Sequence, residues 1–261
     1  MAHQARKRFG QNFLVDQSII QRIVNAVNPQ ESDHIIEIGP GKGAITCLIL
    51  EQTKKMQAIE LDRDLVPILA QKCAKIGDLE IIQADALQVD ISQLTQFKAR
   101  IIGNLPYNIS TPLLFHLLDQ SSAILDMHFM LQKEVVDRMV ASPGSKKWGR
   151  LSVMLQAKAA IHVLFYVPPE AFKPAPKVNS AIVRLKPFAT PLVNKQDWNA
   201  FAKIVRAAFS QRRKTIRNTL KDFFDDQALL SAGIKPTDRA EQISLAQFIK
   251  LVAMYQSFNF K

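Results

Sequence analysis

In the segment IIGNLPYNIS (101–110) an apolar run suited to a buried strand stops on an amide, a proline and a tyrosine. Proline cannot donate to a sheet ladder, so the strand ends there. A plain turn would use Gly and Asp. Asn104, Leu105, Pro106 and Tyr107 instead make a set suited to an exocyclic amine on a planar base. Such an amine is a poor nucleophile, because its lone pair is delocalised into the ring. The Asn104 side-chain oxygen and the carbonyl of Leu105 or Pro106 can each accept one of its N–H bonds, which favours a tetrahedral nitrogen and aims its lone pair at a methyl group. Proline fixes φ and presents a carbonyl without adding a donor. Tyr107 offers a stacking face worth about 1–3 kcal/mol per base. No group in the set is a strong base, so the proton is lost only after the nitrogen has become cationic. Catalysis then rests on positioning an in-line displacement at about 3–3.5 Å. The plainer alternative is a strand-ending turn with a buried tyrosine.

A second set lies upstream. IIEIGPGKGA (35–44) reads as a strand running into a glycine turn that opens a helix. Gly39 and Gly41 permit the tight turn and let a ligand approach the backbone, and the amides that follow offer donors. Glu60, at the end of the next strand, can accept both hydroxyls of a ribose. The spacing Gly39-x-Gly41-x-x-Ala44 with Glu60 fits a nicotinamide dinucleotide as well as S-adenosylmethionine, so the loop alone leaves both open. Asp85, ending the third strand in QADAL, can accept from an adenine amino group, with a helix N-cap as its alternative reading. Asp85 and the Asn104–Tyr107 set favour S-adenosylmethionine.

These residues need a scaffold. Apolar runs at 34–39, 56–61, 79–84, 99–104 and 125–131 alternate with amphipathic pieces at 44–52, 65–75 and 111–118. That alternation predicts βαβ units and a parallel sheet covered on both faces. Runs at 161–167 and 181–188 follow with no helix between them and predict an antiparallel pair at one edge. After the polar linker at 190–196 no strand pattern remains, so residues 1–188 are expected to form an α/β domain and 189–261 a small all-α domain.

Bulk properties narrow the partners. The 261-residue chain is 48% hydrophobic and carries 34 Lys+Arg against 23 Asp+Glu, a net charge of +11. That excess favours a polyanionic partner, most simply nucleic acid. No apolar run approaches the ~20 residues that cross a bilayer. No apolar segment follows the basic N-terminus, which speaks against a secretory leader. Cys47 and Cys73 show no ligand or disulfide spacing and read as reduced thiols, consistent with cytoplasm. The five histidines show no metal-ligand spacing, so no metal is expected. On a helical wheel drawn over 198–221, Lys203, Arg206, Arg213, Lys214, Arg217 and Lys221 crowd one sector, with Arg212 at its flank. Such a stripe predicts phosphate contact, and Lys146, Lys147 and Arg150 add a second basic group.

A long series of segments resembles the bacterial family of small-subunit ribosomal RNA adenine dimethyltransferases. It comprises ARKRFGQNFL, EIGPGKGAIT, IELDRDL, GNLPYNISTPLLFHLL, MHFMLQKEVVDRM, GRLSVMLQ, VPPEAFKPAPKVNSAIVRL and AFSQRRKTIRNTL, in order from about residue 5 to 255. The resemblance implies a Rossmann-like class I methyltransferase fold with S-adenosylmethionine as cofactor. It implies that Asn12 and Leu14 hold the donor's methionine part, Gly39 and Gly41 pass beneath it, Glu60 takes the ribose and Asp85 the adenine. Asn104, Leu105, Pro106 and Tyr107 keep the roles given above, and Asn104 also borders the donor. Phe172 would stack on the target base from the other side, and the prolines of PPEAFKPAPK stiffen its loop for such a wedge. The implied substrate is a pair of adjacent adenosines in a hairpin near the 3′ end of 16S rRNA, within a late-assembling small (30S) subunit. The family is usually monomeric, with no membrane partner. Two other readings remain: a resistance-type enzyme acting on large-subunit rRNA, against which the AFSQRRKTIRNTL segment speaks, and a non-catalytic assembly or transcription factor that only binds RNA.

Overall fold

The computed structural model describes residues 12–106 and 109–259. The chain divides by packing into two units, residues 1–136 with 162–187 and residues 137–161 with 188–261. The functional division expected at 188/189 is linear. Packing instead places 137–161, expected in the first domain, in the second unit.

The elements follow in chain order. They are β1 (Phe13–Leu14), α1 (Gln17–Val27), β2 (Ile35–Ile38), α2 (Thr46–Thr53), β3 (Lys55–Glu60), α3 (Val66–Cys73) and β4 (Asp78–Gln83). Next come β5 (Ala99–Asn104), α4 (Ser110–Asp119), β6 (Ile124–Gln132), α5 (Lys133–Met139), α6 (Arg150–Gln156), β7 (Ala159–Val167), β8 (Phe172–Lys173) and β9 (Ser180–Pro187). Four helices end the chain: α7 (Trp198–Ala208), α8 (Ile216–Thr219), α9 (Asp226–Ser231) and α10 (Leu245–Asn259).

Seven strands form one sheet in the order β4-β3-β2-β5-β6-β9-β7. The pairs β4–β3, β3–β2, β2–β5 and β5–β6 are parallel, while β9 runs antiparallel to β6. The expected parallel sheet with an antiparallel element near one edge is therefore present, and β9 lies between β6 and the edge strand β7. Strands β2 and β5 are apolar on both faces because helices cover both sides; Ile35, Ile36, Ile101 and Ile102 are all at most 2% exposed. The strand order reverses between β2 and β5. Their C-terminal ends, at Ile38 and Asn104, therefore open the crevice where ligands bind in such sheets.

Beneath the sheet, Arg100 on β5 donates to Asp126, Asp33 and the Val27 carbonyl, tying α1's C-terminal end to the sheet. Cys47 and Cys73 are both buried, with their Sγ atoms 2.7 Å apart.

The second unit has its own core, with Phe201, Ile204, Val205, Ile216, Leu229, Phe248 and Leu251 fully buried. Trp148 donates from Nε1 to the Ile243 carbonyl at 2.9 Å. One expectation is corrected here: residues 198–221 are not one helix. The helix α7 ends at Ala208, where Ser210 donates from both its amide and its Oγ to the Ala207 carbonyl, and α8 starts only after Thr215. Among the described residues, no helix is long and apolar enough to cross a membrane.

Candidate active site

A cavity of about 290 Å³ opens at the crevice. Its floor is the turn after β2. Gly39 and Gly41 have φ of +67° and +58°, a region side chains with a Cβ rarely adopt. A Cβ on Gly41 would also lie 3.4 Å from the Phe13 ring. The turn is tied to β3 by Glu60, whose Oε2 accepts from the Gly41 amide at 3.1 Å and whose Oε1 accepts from the Asp62 amide at 2.8 Å. Glu60 is 6% exposed. Burial raises its pKa, against the amide donors that lower it.

Asp85 lines the far wall and accepts from the Leu87 amide at 3.0 Å. It caps a turn, not a helix. Asn104, the last residue of β5, and Leu105 and Pro106 after it form the opposite wall. Leu105 is held by its amide on the Met130 carbonyl at 3.3 Å, and the Pro106 carbonyl accepts from the Ile109 amide at 3.2 Å. Tyr107 lies outside the described residues.

The cavity's roof is the N-terminal arm. Asn12, Phe13 and Leu14 line it, and β1 pairs with β8 so that Phe13 faces Lys173 and Leu14 faces Phe172. The Asn104 Nδ2 donates to the Asn12 carbonyl at 3.2 Å. Lys42 sits 4.5 Å above the Phe13 ring.

The structure thus gathers Asn12, Leu14, Gly39, Gly41, Glu60, Asp85, Asn104, Leu105 and Pro106 around one cavity. It does not bring Phe172 there. That ring is 4% exposed and packs in the core with Leu14, Phe165 and Ile182. In this arrangement Phe172 supports the arm rather than offering a face to a base.

Glu37, which motif spacing does not single out, also lines the cavity. It is 2% exposed and accepts from Thr46 Oγ1 at 2.6 Å. Burial pushes its carboxyl up to about 7. The sequence does hold a signal for it: a carboxylate inside a strand buried on both faces rarely occurs without a partner or a ligand.

The basic residues all fall in the second unit. Lys203 and Arg206 are exposed on α7, with Lys203 Nζ 5.4 Å from the Phe223 ring centre. Arg212, Arg213 and Lys214 are exposed in the 209–215 connection. Arg212 donates to the Lys146 carbonyl at 3.1 Å, which brings this connection beside Lys146 and Lys147. Lys147 pairs with Asp137 at 2.7 Å, and Arg217 is committed to Asp226. Arg150 and Lys221 are exposed.

The chain matches the family described as ribosomal RNA adenine dimethylase over residues 2–257. It is 55% identical over 250 residues to ribosomal RNA small subunit methyltransferase A of Xylella fastidiosa strain Temecula1, covering 95% of this chain and 94% of that one. The protein of the same name in Saccharophagus degradans is 53% identical over 251 residues, with the same coverage. The chain belongs to the ribosomal RNA adenine dimethylases. As a member of this family it is a methyltransferase that dimethylates adenine in rRNA, and S-adenosylmethionine is the methyl donor of the class. Solved structures bear out the dimethylase fold. A dimethyladenosine transferase from Plasmodium falciparum superposes with a TM-score of 0.83 at 24% identity, over 95% of this chain and 98% of that one. The 23S rRNA methyltransferase ErmE does so with 0.76 at 24% identity, over 94% and 100%.

Proposed function

We propose that this dimethylase methylates the exocyclic amines of two adjacent adenosines in a hairpin near the 3′ end of 16S rRNA, on the small (30S) ribosomal subunit and as part of its assembly. One observation carries the reading. Asn104 and Leu105 share a cavity with the glycine turn, Glu60 and Asp85, so an amine acceptor set and a donor pocket meet at one strand end.

The cavity's residues fit S-adenosylmethionine. Gly39 and Gly41 leave the floor free of side chains, while Glu60 and Asp85 present carboxylates at the ends of β3 and β4 for the ribose and the adenine amine. Glu37 and the arm residues Asn12 and Leu14 border the remaining space, where a cationic ammonium and sulfonium favour a buried carboxylate. When bound, the donor supplies a methyl group on a positively charged sulfur.

The chain's own work is positional. Asn104 Oδ1 accepts one N–H of the incoming amine. The Leu105 carbonyl accepts the other more readily than that of Pro106, which already takes the Ile109 amide. Tyr107 supplies the stacking face, worth about 1–3 kcal/mol. The target base must leave its stack to reach this wall, at a cost of a few kcal/mol. Arg212, Arg213, Lys214, Lys146 and Lys147, with Arg150, Lys203, Arg206 and Lys221, supply phosphate contacts. Arg217, already paired, contributes less. The enzyme is expected to act in the cytoplasm as a monomer.

The test uses radiolabelled S-adenosylmethionine with small subunits that lack the modification. Free rRNA, large subunits and adenine-containing DNA serve as controls. Label recovered as dimethyladenosine in small-subunit RNA is the expected result. Label on large subunits would overturn the substrate, and tight subunit binding without label would overturn the activity.

A further inference from the structure

The glycine turn that floors the cavity is gripped from behind. Lys72, on α3, donates from Nζ to the carbonyls of Lys42 and Gly43, both at 3.0 Å. Its stem follows the same turn: Lys72 Cδ lies 3.6 Å from where a Cβ on Gly43 would sit, beside Leu69 Cδ1 and Cys47 Sγ. The turn is braced internally by the Gly43 amide on the Pro40 carbonyl at 2.9 Å. In a planar trans peptide the carbonyl and the next amide point in opposite directions. A Gly43 carbonyl drawn toward α3 therefore turns the Ala44 amide away from α3, and Ala44 lines the cavity.

The Lys72 ammonium also acts electrostatically on the Glu37 carboxyl. The groups that act on that carboxyl are Thr46 from α2, Glu60 from β3, and Lys72 and Cys73 from α3. Burial raises the Glu37 carboxyl and Glu60 adds to it, while the Thr46 hydroxyl and the Lys72 ammonium act the other way.

We propose that Lys72 is a positioning residue for the methyl donor: it holds the Lys42 and Gly43 carbonyls on the α3 side, fixing the shape of the turn, and sets a positive charge near the Glu37 carboxylate. This rests on reading the cavity as the donor pocket. Lys72 does not line the cavity, so its effect falls on donor affinity and on pH dependence rather than on the chemical step.

The test compares wild type with Lys72→Met, which keeps the stem, and Lys72→Arg, which keeps the charge and the donors. Donor KM, kcat and their pH profiles are measured with under-methylated small subunits. Lys72→Met is expected to raise donor KM about tenfold, the scale of hydrogen bonds from a charged group, with kcat at saturating donor within about twofold. The acid limb of kcat/KM for the donor reports the free enzyme. In wild type it is expected to fall as Glu37 takes up its proton near pH 7, and without the Lys72 charge to move to higher pH. Lys72→Arg is expected to restore both. An unchanged KM and acid limb in Lys72→Met would overturn the proposal, as would a fall in kcat with KM unmoved. Glu60→Ala separates the two readings: donor binding lost there but intact in Lys72→Met removes only Lys72's role. Donor binding intact in both removes the donor pocket as well.

Discussion

The Asn104 side-chain amide donates to the Asn12 main-chain carbonyl at 3.2 Å, across 92 positions of sequence. That bond commits Nδ2 to the arm and turns Oδ1 the other way. The arm that roofs the cavity thereby orients the acceptor proposed to meet the amine. Asn104→Ala removes that acceptor and should lower kcat by about 10²–10³, the range for losing one group that stabilises developing charge. Asn104→Asp should lower kcat as well, and it sets a carboxylate oxygen against the Asn12 carbonyl. Both variants lose the tie to the arm, so both should raise donor KM, the Asp variant more because it adds repulsion. Single-turnover kinetics at varied donor concentration separate the two effects. A donor KM unmoved in both variants would show that the tie carries no weight.

The parts of this site that were legible in sequence are those fixed by local spacing. The strand ending at Asn104 was expected at 99–104 and runs Ala99–Asn104, because proline ends a ladder wherever it stands. Gly39, Glu60 and Asp85 were readable because each stands at or just past the C-terminal end of a strand in a repeating βα unit. Pairing at long range left no such trace. The two-residue strands β1 and β8 are too short for any periodicity, so their pairing left no mark in the sequence and Phe172 reads there as a wedge against the target base. The 198–221 helix failed for the opposite reason. Its apolar spacing continues past Ala208, but Ser210 turns back onto the Ala207 carbonyl, and three adjacent cations at 212–214 gain nothing from a helical face.

His128 makes acid stability testable. Its side chain is 2% exposed, and among the described residues its Nδ1 has no hydrogen-bond partner. Asp126 Oδ1 lies 3.8 Å away, but Asp126 is engaged by Arg100 and Arg184. Burial pushes the imidazole down to about 4, the two arginines act the same way, and Asp126 opposes them. An unfolded histidine takes its proton near pH 6.5, so between about 6.5 and 4 the unfolded chain binds more protons. His128's share of the stability should therefore fall as pH drops through that window, by up to roughly 3 kcal/mol, while Glu37, whose carboxyl is raised to about 7, takes up its proton more readily in the fold and offsets that loss. Asp126, whose pKa is lowered in the fold, adds its own loss only at more acid pH. Urea midpoints of wild type and His128→Gln across this range give the check. The stability difference between wild type and variant should shift against wild type as pH falls from 6.5 to 4, and parallel curves would count against His128 as the cause.

The cations of the second unit are not equivalent, and their pairing predicts which ones hold RNA. Arg217 gives its guanidinium to Asp226 with two hydrogen bonds, so its charge is already matched. Arg212 spends one N–H on the Lys146 carbonyl, a neutral group, and keeps its full charge while joining the 209–215 connection to Lys146. Removing one cation that neutralises a phosphate should reduce the slope of log affinity against log salt by about one. Arg212→Ala, Arg213→Ala and Lys214→Ala should each weaken binding to small subunits with that change in slope. Arg212→Ala should weaken it further, because it also releases the 209–215 connection from Lys146. Arg217→Ala should leave the slope nearly as it was. Binding measured over a series of salt concentrations settles it: a slope unchanged in the double variant at 213 and 214, or a slope that falls for Arg217→Ala as much as for Arg213→Ala, would show that the phosphates are met elsewhere on the chain.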